Sequence, residues 1–256
     1  MEEKGRTGNK ASDISYGKDK EEEARAKKHI IYFLAVFLCV IVVFMAIPFR
    51  NIPLNPEPRK IPDRSDVISN YSIEYINYPA AIKGGKKNSN NITHSNKSRS
   101  YNYYGYYDYS SYINASNPII KRAANMVASY GCDDSEICYA KAIFYFVRDK
   151  VHYISEKDEY IQADVETLIT GGGDCEDKAI LLSSMLSAIG IPTVLIAIPG
   201  HMFVKAYISK APEKYLTNDR WVILDPSCPS CGFGKIPKYD KEQYLSGNYR
   251  AIRTAP

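Results

Sequence analysis

The chain has 256 residues, of which 45% are hydrophobic and 24% charged, and its formal net charge is +4. A chain of this length and composition can hold one ordinary domain together with additional segments. The positive charge is spread along the chain without a basic stripe, so nucleic acid is not an expected partner.

The N-terminal part contains a predicted membrane anchor. Residues 1–29 are polar and charge-mixed, which predicts a flexible tail. Residues 30–47 contain no charged side chain, and a helix of that length extends roughly 27 Å, close to the thickness of a bilayer core. A cleaved signal peptide usually has a shorter apolar region and a small-residue cleavage site. We therefore predict a transmembrane signal anchor at residues 30–49.

The flanks of this anchor predict its orientation. Basic side chains crowd the N-terminal flank at Arg25, Lys27 and Lys28, which favours a cytoplasmic N-terminus. Glycosylation-type triplets follow the anchor and agree with an exported C-terminal part; they begin at Asn70, Asn91, Asn96 and Asn114. The prediction is a single-pass membrane protein whose C-terminal domain is extracytoplasmic.

Residues 50–117 form a predicted spacer. They are Pro-rich at first and then rich in Asn, Ser and Tyr, without a helical or strand period that would bury a core. Alternatively, the tyrosines form a surface that stacks on sugars or other aromatic groups.

A folded domain is predicted for residues 118–256, and its helices come first. Asn117 and Pro118 are typical of a helix start, and this helix should stop at Gly131. A second helix is predicted up to Lys150, followed by the short strand VHYI and a helical turn at DVETLI. A third helix begins within GGGDCEDKAILL and ends before Gly190. It is apolar on nearly every face, which predicts a position at the centre of the domain.

Strands follow the helices, at residues 193–198, 201–208 and 221–225. The last two are joined by a polar segment, which predicts an antiparallel hairpin. Helices first and strands afterwards indicate an α+β domain with an antiparallel sheet packed on the central helix.

The ends of these elements carry a candidate catalytic triad. In an antiparallel pair the start of one strand lies beside the end of the other, which brings His201 close to Asp225. Cys175 stands at the start of the central helix, where the helix dipole favours a thiolate. A nucleophilic cysteine needs a base, and the base needs an acceptor that orients it. These three residues supply those roles.

A structural interpretation of the same residues is also open. Asp174 can cap the helix and Cys175 can be a small buried apolar residue. Acidic neighbours of Cys175 raise a thiol pKa, so a protonated histidine would have to outweigh them. In the catalytic interpretation, Gly173 allows a substrate backbone to approach the nucleophile closely.

The chain resembles the transglutaminase-like superfamily of papain-type cysteine enzymes. The segments ETLITGGGDCEDKAILLSSMLSAIGIP, GHMFVKAYI and WVILDPS carry the resemblance, and AKAIFYFVRDKVHYI is similar to the helix and strand that precede the nucleophile. It covers about residues 118–228. It implies a cysteine-peptidase-like fold in which Cys175 attacks an amide carbonyl, His201 relays the proton and Asp225 orients His201. Trp221 stands where the family often has an aromatic residue, and we take it as a candidate substrate-binding residue.

Several features of the reaction stay open. The backbone N–H of Cys175 is the expected first oxyanion donor, and Gln162 is a weak candidate for the second. The resemblance leaves both water and an amine as acyl acceptors. No cofactor or metal is expected, and calcium dependence is not carried over, because the acidic loops and flanking domains of animal transglutaminases are missing from this sequence.

The other cysteines allow two interpretations. Cys39 falls within the predicted anchor, whereas Cys132, Cys138, Cys228 and Cys231 form an even set. In an exported domain they predict two disulfides. One tetrathiolate zinc site is the alternative, although the first spacing is unusual for zinc.

Three functional hypotheses follow. The first is a membrane-tethered cysteine hydrolase or acyltransferase that acts on protein or peptide amide bonds, with cell-envelope peptides as candidate substrates. The second is a catalytically silent transglutaminase-like module that binds peptide or glycan at the cell surface. The third is a zinc-stabilised assembly protein.

Overall fold

The computed structural model describes residues 23, 25, 27–42, 55–69, 85–86, 108–155 and 160–254. The chain divides into two compact units, Met1–Ile52 and Pro53–Pro256. In the first unit, helix α1 covers residues 27–42 and its apolar side chains are exposed. The predicted anchor at residues 30–49 is therefore helical as far as residue 42, and its last seven positions lie outside the described residues. Within the described ranges, no helix is both long enough and apolar enough to cross a bilayer.

The second unit contains the α+β domain. Its helices are α2 (Arg64–Ile68), α3 (Pro118–Tyr130), α4 (Glu136–Lys150), α5 (Asp164–Thr170), α6 (Cys175–Ala188) and α7 (Lys238–Leu245). Its strands are β1 (Gly85–Lys86), β2 (His152–Tyr153), β3 (Tyr160–Ile161), β4 (Gly172–Gly173), β5 (Thr193–Ile198), β6 (His201–Ala206), β7 (Val222–Leu224) and β8 (Arg250–Arg253).

The main sheet has the strand order β7-β6-β5-β8, and every neighbouring pair is antiparallel. The predicted hairpin is confirmed, because β6 pairs with β7 in a register that places Val204 opposite Leu224. Two smaller pairs accompany the sheet: β1 runs antiparallel to β3, and β2 runs parallel to β4. The second of these pairs leads directly into the start of α6.

Helix α6 is the centre of the domain, as its sequence predicts. Its apolar side chains are fully buried on all sides; they include Ala179, Ile180, Leu181, Leu182, Met185 and Leu186. It packs against α3, α4, α5, β5 and β6. Burial of a large apolar side chain contributes about 1.5–3 kcal/mol, so this helix is a major source of the domain's stability.

The opposite face of the main sheet carries a second, smaller core. Ile196, Ile198, Phe203 and Ile223 are buried there, and Tyr244 of α7 packs against them. The ring of Tyr244 meets the Phe203 ring edge-on at 5.9 Å. Neither α7 nor β8 was predicted, because no residue of α7 is fully buried and its sequence lacks an apolar stripe.

The four cysteines of the domain form two disulfides, Cys132–Cys138 and Cys228–Cys231. The preferred interpretation is thereby confirmed. The zinc alternative fails because these sulfur atoms are bonded to each other and no longer supply thiolate ligands.

The folded unit begins before the predicted boundary at residue 118. The ammonium group of Lys141, fully buried on α4, donates to Asn55 Oδ1 at 2.7 Å and to the carbonyl of Pro56 at 3.2 Å, and it pairs with the Glu57 carboxylate. Val67 of α2 is also buried. Part of the predicted spacer therefore packs on the domain, because the charge of Lys141 requires polar partners from it.

We expect a chain that begins at residue 118 to be less stable than one that begins at residue 53. The shorter chain leaves the buried ammonium of Lys141 without the partners supplied by residues 55–57, and a buried polar group without a partner costs about 1–3 kcal/mol, more when it is charged. Urea unfolding of the two chains measures the difference. Lys141→Met should recover much of the loss in the shorter chain and little in the longer one. Equal unfolding free energies for the two parent chains would contradict this expectation.

Candidate active site

The start of α6 has both a capping function and a reactive side chain. The Asp174 carboxylate accepts the backbone N–H of Asp177, and the Asp177 carboxylate accepts the backbone N–H of Asp174. This reciprocal pair is a capping box, so Asp174 does cap the helix. Cys175 is the first residue of the helix and is half-buried. The two interpretations of this segment are therefore compatible.

The local structure before Cys175 requires glycine at two positions, Gly171 and Gly173. Gly171 ends α5 with a φ of 74°, a left-handed conformation that favours glycine. A Cβ atom at Gly173 would lie 2.6 Å from the Cβ of Asp177. The first turn of α6 thus needs glycine at this position, and the predicted contact of Gly173 with substrate stays a prediction.

His201 and Asp225 are neighbours, as the antiparallel hairpin predicts. His201 opens β6, Asp225 directly follows β7, and Nε2 of the histidine lies 2.9 Å from Oδ2 of the aspartate. The Asp225 side chain is fully buried, and its Oδ1 accepts the backbone N–H of Ser227 at 2.9 Å. These contacts fix the orientation of the imidazole ring.

Cys175 lies at the same end of the sheet. The backbone N–H of Met202, which follows His201, faces the Cys175 sulfur, and α6 packs along β6. Nε2 of His201 is the ring nitrogen that faces Asp225, so the other ring nitrogen, Nδ1, points away from that carboxylate. The fold therefore brings the predicted Cys, His and Asp residues to one end of β6.

The surroundings of Cys175 favour its protonated thiol over a thiolate. Burial is the largest cause that raises its pKa far above the usual value, and the charges of Glu176 and Asp174 add to it. The thiol also donates a hydrogen bond to Glu176 Oε2 at 3.1 Å. The N–H of Met202 acts in the opposite direction, since it favours the thiolate.

The surroundings of His201, in contrast, favour the charged form of its imidazole. Burial by itself lowers its pKa, but the hydrogen bond to Asp225 and the charges of Asp225, Asp240 and Glu176 outweigh burial, so the pKa is raised. Burial raises the pKa of Asp174 to about 8, with further contributions from Glu176 and Asp177. The site as a whole therefore favours a positive charge on His201 and opposes a negative charge nearby.

Trp221 and Gln162, the two weaker candidates from the sequence, contact other parts of the domain. Trp221 stands at the opposite end of β7 from Asp225, where its ring lies 5.7 Å from the Tyr207 ring. Gln162 donates its side-chain N–H to the Gly172 carbonyl at 3.1 Å and its backbone N–H to Asp177 at 2.8 Å. Their predicted roles with substrate stay predictions, and Gln162 already has a structural one.

Sequence reasoning missed two residues of the site. Lys178 is buried on α6, donates to the Val151 carbonyl at 2.8 Å, and has a pKa that burial lowers to about 8. Asp240 comes from α7, an element that the sequence did not predict. A basic residue one turn after Cys175 was a signal for the first, whereas no sequence pattern pointed to the second.

We assign no metal or cofactor ligand among the described residues. Cys228 and Cys231 are oxidised to a disulfide. The imidazole of His201 and the carboxylate of Asp225 form a hydrogen bond with each other.

Residues 122–226 match the sequence profile of the transglutaminase-like superfamily. This match confirms the resemblance over that part of the chain. The domain itself is α+β. No curated protein matches the chain.

Three solved structures are similar to parts of the chain. A candidate cysteine protease from Cytophaga hutchinsonii is 18% identical, with a TM-score of 0.38 over 58% of this chain and 44% of that protein. A candidate protease from Parabacteroides distasonis is 15% identical, with a TM-score of 0.33 over 42% of this chain and 23% of that protein. LapG from Legionella pneumophila is 18% identical, with a TM-score of 0.27 over 52% of this chain and 80% of LapG. The chain spans less than half the length of the first two.

Proposed function

We propose that this protein is a cysteine-dependent hydrolase or acyltransferase that acts on peptide or glutamine-type amide bonds. The observation that carries the proposal is the hydrogen bond between His201 and Asp225 at the end of β6 where Cys175 begins α6. A thiol, a base and an acceptor that orients the base are the parts that nucleophilic cysteine catalysis needs. The match of residues 122–226 to a superfamily of such enzymes supports it.

The proposed reaction begins with transfer of the Cys175 proton to Nδ1 of His201. The thiolate attacks the amide carbonyl carbon, and the backbone N–H of Cys175 donates to the oxyanion. When the C–N bond breaks, His201 gives its proton to the departing amine and a thioester remains on Cys175. Water or a second amine then loses a proton to His201 and attacks the thioester, which releases an acid or a new amide and restores the thiol.

We also propose that residues 30–49 tether the enzyme to a membrane and that the domain is extracytoplasmic. The uncharged run within residues 30–47 supports the tether. Two disulfides in the domain favour an oxidising compartment. A cell-envelope peptide is then a plausible substrate. External protease should remove the domain from intact cells, and protection of the domain would contradict this localisation.

Acyl-enzyme formation with 4-nitrophenyl acetate tests the proposed chemistry on the full chain. We expect a burst of about one nitrophenolate per chain, together with one acetyl group on Cys175 in peptide mass spectrometry. Cys175→Ser is the matched control and should show no burst. Methylamine added during turnover distinguishes the acceptors: N-methylacetamide in excess of the amount formed with Cys175→Ser, where the amine attacks only the ester itself, shows that an amine resolves the thioester. Absence of both the burst and the acetyl group in the parent protein would overturn the proposal.

A silent binding module is the second candidate function. It is favoured by one specific contact, the hydrogen bond from the Cys175 thiol to Glu176, because this bond and the raised pKa of the thiol oppose a thiolate. In that case peptide binding should survive in Cys175→Ala, and the parent protein should show no burst.

A further inference from the structure

A second carboxylate stands beside the His201–Asp225 pair. Asp240 lies in the first turn of α7, and one of its carboxylate oxygens is within 4.8 Å of both a His201 ring nitrogen and an Asp225 carboxylate oxygen. Helix α7 is held against this face of the sheet by the edge-on contact between Tyr244 and Phe203. The helix therefore has a fixed position over the strand that carries His201.

The acids that affect the pKa of the Cys175 thiol differ from those that affect the pKa of the His201 imidazole. Asp225 from the end of β7, Asp240 from α7 and Glu176 from α6 all act on His201. Glu176 and Asp174 act on Cys175, whereas Lys178 on α6 lies near Asp225. Asp240 is thus an acid that favours the imidazolium and is not among the groups that act on the thiol.

Asp240 is not a freely solvated surface acid. Partial burial raises its pKa, the Asp225 charge raises it further, and the His201 charge lowers it. Among the groups that the structure describes, His201 is the cation whose charge acts on Asp240. The unfavourable placement of Asp240 beside Asp225 is therefore compensated when His201 is protonated.

We propose that Asp240 is a positioning residue that stabilises the imidazolium which His201 becomes when it takes the Cys175 proton. The inference rests on the proposed function as far as catalysis is concerned, but the contact with His201 can be tested without it. Acids near the nucleophile oppose the thiolate, so formation of a thiolate–imidazolium pair needs additional stabilisation of the imidazolium. A carboxylate beside the histidine supplies it, and Asp240 is not among the acids that raise the pKa of the thiol.

The first test measures the pKa of His201 by NMR of the imidazole C–H groups in the full chain carrying Cys175→Ala. Removal of the thiol makes this measurement independent of catalysis. We expect Asp240→Asn to lower the His201 pKa by about 1 unit, as a charge lost at this distance near a surface implies. Asp240→Glu should restore the pKa. Glu242→Gln, at an exposed position on the same helix, is the matched control and should leave it unchanged.

The second test measures alkylation of Cys175 by iodoacetamide near neutral pH in chains that retain the thiol. Asp240→Asn should slow it about threefold to tenfold, and Asp240→Glu should recover the rate. Asp240→Ser replaces the Asn variant if that variant does not fold. The proposal is overturned if the His201 pKa is unchanged in Asp240→Asn, or if Glu242→Gln shifts it equally. A shifted pKa with alkylation that is indifferent to His201 would uphold the contact and contradict the proposed function.

Discussion

Replacement of His201 by Ala should slow iodoacetamide alkylation of Cys175 near neutral pH by at least about tenfold. The physical reason is that the imidazolium is the one nearby group that favours a thiolate strongly. Burial and the charges of Glu176 and Asp174 already raise the thiol pKa above that of a free cysteine, about 8.5, so a thiolate at neutral pH needs the imidazolium beside it. Without His201, little thiolate then exists at neutral pH. Mass spectrometry of the Cys175 peptide between about pH 4 and pH 10 measures the rate.

The shape of the pH profile gives a further check on this result. His201 has a raised pKa in the folded protein, so its positive charge is present at low pH and is lost as the pH rises through that raised value. The ion pair should therefore make Cys175 reactive in a window below the free-thiol pKa, and His201→Ala should leave a single rise at alkaline pH. His152→Ala, which removes an exposed histidine of β2, is the matched control. A parent profile identical to that of His201→Ala would contradict the ion pair.

The hydrophobic pattern and the strand geometry were sufficient to predict most of this site. An all-round apolar helix must be central, and the structure accordingly buries both Ile180 and Leu182, which lie on opposite sides of α6. The closeness of His201 and Asp225 follows from the ends of an antiparallel pair, and their 2.9 Å contact agrees with it.

Other features depend on polar contacts between distant segments, which no local pattern encodes. Lys141 is fully buried among apolar side chains of α4, and its partners at residues 55–57 lie in a segment whose composition is typical of a low-complexity spacer. Asp240 belongs to a short helix without an apolar stripe, so neither the helix nor its position over the sheet was predictable. The hydrogen bond from Cys175 to Glu176 depends on one side-chain rotamer. Asp240 and Glu176 contribute to the electrostatics of the site, whereas the apolar pattern sets its position.

Asp177→Ala should lower the free energy of unfolding by about 3 kcal/mol and disturb the position of Cys175. The Asp177 carboxylate is fully buried and accepts backbone N–H groups from two segments, those of Gln162 at 2.8 Å and Asp174 at 3.3 Å. The substitution leaves both donors unpaired, and buried unpaired donors cost about 1–3 kcal/mol each. Urea unfolding measures this loss, and iodoacetamide alkylation measures the effect on Cys175.

Asp174→Ala is the comparison variant for Asp177→Ala. It removes the helix cap but keeps the hydrogen bond through which Asp177 connects α6 to Gln162. It removes one capping interaction, for which the expected cost is about 1 kcal/mol, and it also removes an acid that raises the pKa of Cys175. We therefore expect a small loss of stability with unchanged or faster alkylation in Asp174→Ala, against a large loss of stability with slower alkylation in Asp177→Ala. Equal losses of stability in the two variants would mean that Asp177 acts as part of the cap alone. The packing of Gly173 against Asp177 gives the physical reason to expect otherwise, because the strand before the nucleophile rests on that side chain.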